Sequence, residues 1–138
     1  MRLYKMLGIF NAERMSLLVT KYRKKCLKEN ILHRAKELVE KLCIDYDVEL
    51  IEFGGEEDHI HLLLSLHPNI MPSKFINSLK TVTSRMLRKE FSEHFKKYYW
   101  KPVLWTRAYY LLSTGGATIE TIRKYIENQG NDSSPPKF

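Results

Sequence analysis

Apolar positions along this chain recur at two different spacings, and the switches between them divide it into strands and helices. Met15 to Tyr22 (MSLLVTKY) reads as a strand and runs into the basic cluster KYRKK. Ile31, Ala35, Leu38 and Leu42 follow steps of four and three, which marks a helix from Asn30 to about Asp45. Val48 to Phe53 alternates apolar with acidic residues, the pattern of a half-buried strand, and Gly54-Gly55 is expected to end it. A short acidic turn leads to a further strand, His59 to about Leu66. Pro72 opens a long helix to about Phe95, with Phe75, Leu79, Val82 and Met86 on its apolar face. The aromatic stretch YYWKPVLWTRAYYLLST contains a fourth strand, roughly Leu104 to Ser113, which Gly115-Gly116 breaks before a last helix, Thr118 to Gln129.

The resulting order, β-α-β-β-α-β-α, predicts an α+β fold of the split β-α-β type, ferredoxin-like or RRM-like. Its antiparallel sheet should carry helices on one face, with one more helix at the C-terminal end. A single domain over residues 1–130 is expected, with a disordered tail over 131–138 that ends SSPPKF. This fold hosts many activities and decides none of them.

Composition narrows the field. Of the 138 residues, 43% are apolar and 28% charged, as in a globular protein, and no apolar run approaches the roughly 18 residues of a membrane span. Cys26 and Cys43 are too few and too far apart for a disulfide framework or a cysteine metal site. Without a recognisable secretory signal, a reduced, cytoplasmic setting is the expectation. The net charge of +7 is unevenly spread. Residues 1–28 hold eight Lys or Arg against Glu13 alone, residues 72–107 hold nine against two acids, and residues 29–71 hold ten acids against three bases. Two basic segments can form a polyanion-binding surface or a merely lysine-rich one. On the first reading the candidate DNA contacts are Lys21, Arg23, Lys24 and Lys25, then Lys80, Arg85, Arg88 and Arg107. Aromatic residues between Tyr98 and Tyr110 lie among further cations, and bases of single-stranded DNA stack on such rings. Most are expected in the core or an interface, with one or two left to touch a base.

Two constellations could carry chemistry. Side chains two apart on a strand share a face, so His59 and His61 in DHIHLLLS project side by side and can hold one metal ion. Paired histidines on a strand are also found simply packed or exposed, and spacing alone does not separate these readings. His33, His67 and His94 have no comparable spacing and read as structural or exposed. In the last helix Tyr125 and Gln129 are one turn apart on one face. A tyrosine hydroxyl can attack phosphorus to leave a covalent phosphotyrosine, and Gln129 could add an oxygen ligand to the two imidazoles. A tyrosine flanking a helix is otherwise ordinary packing.

The stretches VTKYRKKCL, GGEEDHIHLLLSLHP, SKFINSLKTVTSRMLRKEF, LWTRAYYLLSTGG and IRKYIENQ occur in this order over nearly the whole chain from Val19 on. In this order and spacing the chain resembles the small single-tyrosine, IS200-like transposases of bacterial and archaeal insertion sequences, the His-hydrophobic-His class. The resemblance implies that His59, His61 and Gln129 bind Mg²⁺ or Mn²⁺ and that Tyr125 is the nucleophile. It implies a single-stranded DNA substrate with hairpins near the element ends, a 5′-phosphotyrosine intermediate and no need for ATP. It also implies a homodimer in which the tyrosine helix of one subunit can serve the histidines of the other. Asp58 is then expected to support the pair from outside the ligand set. Residues 1–14 depart from the pattern, lacking the aromatic or His residues that often precede the VTKYR strand in this family.

Histidine phosphoesterases fail on sequence. The third alternating position of a histidine triad is Leu63, and no second His-x-Ser/Thr motif occurs. A non-catalytic or domesticated binder of single strands or hairpins would need none of His59, His61, Tyr125 and Gln129. A host repeat-associated relative would share the chemistry and differ in its DNA.

Overall fold

A computed structural model describes residues 12–113 and Lys124. Four strands form one antiparallel sheet in the order β2-β3-β1-β4, with β1 at Ala12–Val19, β2 at Glu49–Glu56, β3 at His59–Leu66 and β4 at Tyr110–Ser113. Helix α1, Glu29–Asp45, follows β1, while α2, Pro72–Glu90, and the short α3, Ser92–Phe95, follow β3. This is the strand order of the split β-α-β fold expected from the sequence. The expected last helix, the tail from Gly130 and the first eleven residues fall outside the described residues, apart from Lys124, which is helical and exposed.

Alternation along the strands sorts the side chains into two layers. Leu18 of β1 and Ile60, Leu62, Leu64 and Leu66 of β3 pack under Ile31, Ala35 and Val39 of α1 and Phe75, Ile76 and Leu79 of α2. Each such fully buried aliphatic or aromatic side chain contributes about 1.5–3 kcal/mol, so this layer dominates stability. The opposite face carries Met15, Leu17, Val19 and Leu63, and with them the two histidines of β3. The sheet is thus apolar on both sides, with helices α1 and α2 on only one of them.

Four elements differ in their bounds from the sequence-based expectation. β1 starts earlier and stops at Val19, because Lys21–Arg23 turns as a short 3-10 segment with Tyr22 and Arg23 at φ of 60° and 53°. β2 does not end at Gly54-Gly55 but continues to Glu56, paired with His59. β4 is confined to Tyr110–Ser113, because the segment before it leaves the ladder after a single bridge from Trp105 to Thr20. The Trp105 indole N–H instead donates to Thr83 Oγ1 of α2 at 2.9 Å, inside the core. The long helix also breaks at Phe91, whose φ of −120° is not helical, and resumes as α3.

Candidate functional site

An irregularity in β2 sets the composition of the histidine face. Leu50 pairs with Leu64 but Glu52 pairs with Leu63, so Ile51 is an extra residue in a β-bulge. A shift of one residue exchanges the two faces of a strand. Beyond the bulge Glu52, Gly54 and Glu56 therefore lie on the histidine side, while Phe53 packs with the helical core. The sequence carries the signal in the doublet Leu50-Ile51, which interrupts the alternation between Glu49 and Glu52.

The register then arranges two rows across the sheet. Glu56, His59 and Val19 form one, and Gly54, His61 and Leu17 the next. His59 is only 2% exposed and His61 is half-buried. Their ring centroids are 6.1 Å apart with a 32° tilt. One ion held at about 2 Å from a nitrogen of each ring can span that separation. A Cβ built on Gly54 would overlap the His61 imidazole at Nε2 and Cε1. Glycine opposite His61 thus leaves the space in which that ring lies.

Asp58 holds the other histidine. Its Oδ1 lies 3.0 Å from Nδ1 of His59, while its Oδ2 accepts from Arg23 Nε and Nη2 at 3.2 and 3.0 Å. Burial works against ionisation of Asp58, but the hydrogen bonds from His59 and Arg23 and the charge of Arg23 outweigh it. The carboxyl is held below its ordinary range. A carboxylate on Nδ1 fixes the ring orientation and leaves Nε2 as the nitrogen that could take a metal. The loop that brings in Arg23 is latched to the same turn: Thr20 N–H donates to Asp58 O at 3.0 Å and Leu27 N–H to Glu57 O at 2.8 Å. VTKYRKKCL and the DHIH turn are therefore one unit in space.

Sequence reasoning missed Glu56. Its carboxylate, that of Asp58 and the His59 ring bring ligand atoms within 4.8 Å of one another. Asp58 already serves His59 and Arg23, which leaves the exposed Glu56 as the better oxygen donor of the two. Imidazole nitrogen with carboxylate oxygen suits a divalent ion such as Mn²⁺, so the residues present fit a metal of the expected class. The acidic run GGEEDH was the available signal, but the cross-strand pairing that selects Glu56 is not readable from it. Tyr125 and Gln129 lie outside the described residues.

The candidate DNA contacts separate into groups. Lys24, Lys25, Arg85 and Arg107 are exposed, while Lys21, Lys80 and Arg88 are half-buried. Lys80 Nζ donates to the Arg107 carbonyl at 2.7 Å, and Arg88 Nε to Ser84 Oγ at 3.1 Å. Arg23 has a different task, since its guanidinium is engaged with Asp58. Of the remaining histidines, His33 is exposed and His94 Nε2 lies 2.6 Å from the Cys26 carbonyl, a structural contact.

Comparison with known proteins agrees with this geometry. Residues 10–129 match the family model described as "Transposase IS200 like". The ISDra2 transposase TnpA of Deinococcus radiodurans is 27% identical over 121 residues, covering 88% of this chain and 86% of the relative. The transposase for insertion sequence element IS200 of Salmonella typhimurium is 32% identical over 109 residues, covering 79% and 70%. A crystal structure described as that of a transposase from Deinococcus radiodurans R1 superposes with a TM-score of 0.73 at 28% identity, covering 88% of this chain and 92% of that one. A REP-associated tyrosine transposase bound to a REP hairpin has a TM-score of 0.59 at 11% identity, covering 86% and 64%, and so shares the fold. No helix among the described residues is long and apolar enough to cross a membrane. With its split β-α-β sheet, its His-x-His strand and a family match over 120 of its residues, the chain belongs to the IS200-like transposases, whose work is to cut and rejoin DNA.

Proposed function

We propose that the protein is a metal-dependent transposase that cuts and rejoins single-stranded DNA at the ends of an insertion sequence through a 5′-phosphotyrosine. The observation that carries this reading is the clamped pair: His59 and His61 on one sheet face, the first fixed by Asp58 and the second given room by Gly54. A binder without catalysis would need neither device.

In this scheme His59 and His61, with an oxygen from Glu56 or Gln129, hold Mg²⁺ or Mn²⁺. The bound ion supplies Lewis acidity at the scissile phosphate. Tyr125 Oη, losing its proton, attacks the phosphorus while the bond to the 3′ oxygen breaks and that oxygen takes up a proton. One phosphodiester replaces another, so the bond energy is kept and the reverse attack by a 3′-OH rejoins strands without ATP. The hairpins near the element ends bring the strand to the site, and two copies of the chain act as a homodimer, in the cytoplasm, with the tyrosine helix of one able to serve the histidines of the other. The family membership supports this assembly.

The histidine role has a direct test. Cleavage of a hairpin oligonucleotide from the element end should require Mn²⁺ or Mg²⁺ and stop with EDTA. His59→Ala should lose at least about a hundredfold in rate, because a ligand is removed outright, while retaining hairpin binding in a gel-shift assay. Full cleavage by His59→Ala would remove the metal assignment.

A further inference from the structure

The two most exposed aromatics among the described residues lie together. Trp100 is 89% exposed and Tyr22 is 73% exposed, and both line one recess of about 360 Å³ together with Lys21, Lys24 and Lys101. No acidic side chain among the described residues lines it. Lys101 Nζ sits 4.6 Å from the centroid of the Trp100 ring, and Lys21 Nζ 5.4 Å from that of Tyr22. Trp100 also lines a second recess, which adds Arg88 and Lys96. The tryptophan is therefore shared by two cation-lined hollows.

The platform is rigidly built. Tyr22 is held in the left-handed region at φ 60°, a conformation unfavourable for a residue with a Cβ, and is kept there by its neighbours. The Lys21 N–H donates to the Leu104 carbonyl at 2.7 Å, and the buried Tyr99 hydroxyl donates to the Lys21 carbonyl at 2.7 Å. The chain thus holds the backbone at Tyr22 in place and leaves two large rings in solvent beside cations that would otherwise repel one another. Core packing calls for none of this. A nucleobase offers a flat face to each ring, and its flanking phosphates offer the charge the lysines lack. The recess also lies at the histidine end of the sheet: Arg23, next to Tyr22, binds the carboxylate that holds His59.

We infer that this recess is a nucleotide subsite, which seats one unstacked base of single-stranded DNA on Trp100 and Tyr22 with its phosphates against Lys21, Lys24 and Lys101. The subsite rests on the transposase reading and adds to it a place where the unpaired strand is gripped before it reaches the histidines.

Fluorescein-labelled oligothymidylate and a blunt hairpin without single-stranded flanks are titrated with the full chain in EDTA, where no cutting occurs, and read by anisotropy. Trp100→Ala should weaken oligothymidylate binding about tenfold and leave the blunt hairpin unchanged, and Trp100→Phe should restore most of the loss. Oligothymidylate should also quench Trp100 emission, with the buried Trp105 as the unresponsive remainder. Unchanged oligothymidylate affinity in Trp100→Ala overturns the subsite. Equal loss of both probes with conversion to monomer overturns it too, and places Trp100 at an interface between copies. A clear preference for oligouridylate overturns the assignment to DNA. Cleavage by the wild-type chain with Mn²⁺, measured in parallel, separates the two readings: cutting with no Trp100 effect sinks the subsite alone, and a Trp100 effect without cutting sinks the transposase activity alone.

Discussion

Gly54→Ala is expected to abolish most metal-dependent cleavage while leaving the protein folded. The new methyl group would occupy the space of the His61 ring, overlapping its Nε2 and Cε1. An imidazole is the far end of a side chain with two rotatable bonds, so it swings aside at small cost to the fold, and the expected change in melting temperature is only a few degrees. The ring then no longer shares an ion with His59. Displaced or misoriented ligands typically cost about 10–100-fold in metal affinity, and cleavage should fall by at least as much. Gly55→Ala is the contrasting variant. Its Cβ would meet the His59 backbone carbonyl at 2.8 Å and Leu32 Cδ2 at 3.0 Å, on the helical side, so it should lower stability first. Mn²⁺ affinity by calorimetry beside thermal melting separates the two effects. Gly54→Ala with wild-type Mn²⁺ affinity would show that His61 does not need its present position.

Asp58→Ala is expected to damage the site through His59 without removing a ligand. It deletes the acceptor at Nδ1, freeing the ring tautomer and orientation, and removes the two hydrogen bonds that the half-buried Arg23 guanidinium makes to Oδ2. Loss of the orienting carboxylate should weaken Mn²⁺ binding about 10–100-fold. Asp58→Asn keeps an acceptor oxygen that can face either partner, so it should recover part of the affinity. Excess Mn²⁺ should rescue cleavage by Asp58→Ala but not by His59→Ala. If Mn²⁺ binds Asp58→Ala as tightly as wild type, the clamp is structural only.

How much of this was legible in the sequence depended on how local the cause was. Helix α1 and strand β3 follow from side-chain period alone, and β3 appears with the expected bounds, His59–Leu66. The histidine pair and the presence of Asp58 beside it were likewise readable, because residues two apart on a strand and next to each other cannot avoid proximity. The failures lie where distant segments decide. Gly54-Gly55 reads as a strand end because glycine usually weakens strands, yet here β2 passes through both, since one glycine makes room for a ring on the neighbouring strand. Glu56 became a candidate ligand only through a register that the Ile51 bulge sets. Arg23 looked like one more phosphate contact until the fold joined it to Asp58 across 35 residues. The fourth strand was read too long because aromatic and aliphatic residues of the strand-favouring kind fill the stretch, while Trp105 is committed to a buried hydrogen bond with Thr83 instead.

The central claim is covalent catalysis by a tyrosine working with the histidine pair, and one measurement meets it directly. The protein is incubated with Mn²⁺ and hairpin oligonucleotides from the element end, one labelled at the 5′ and one at the 3′ end, and separated on a denaturing gel. A protein–DNA adduct carrying only the 3′ label should form, and Tyr125→Phe should eliminate it while binding the hairpin normally. An adduct that persists in Tyr125→Phe, or one that carries the 5′ label, would contradict the account.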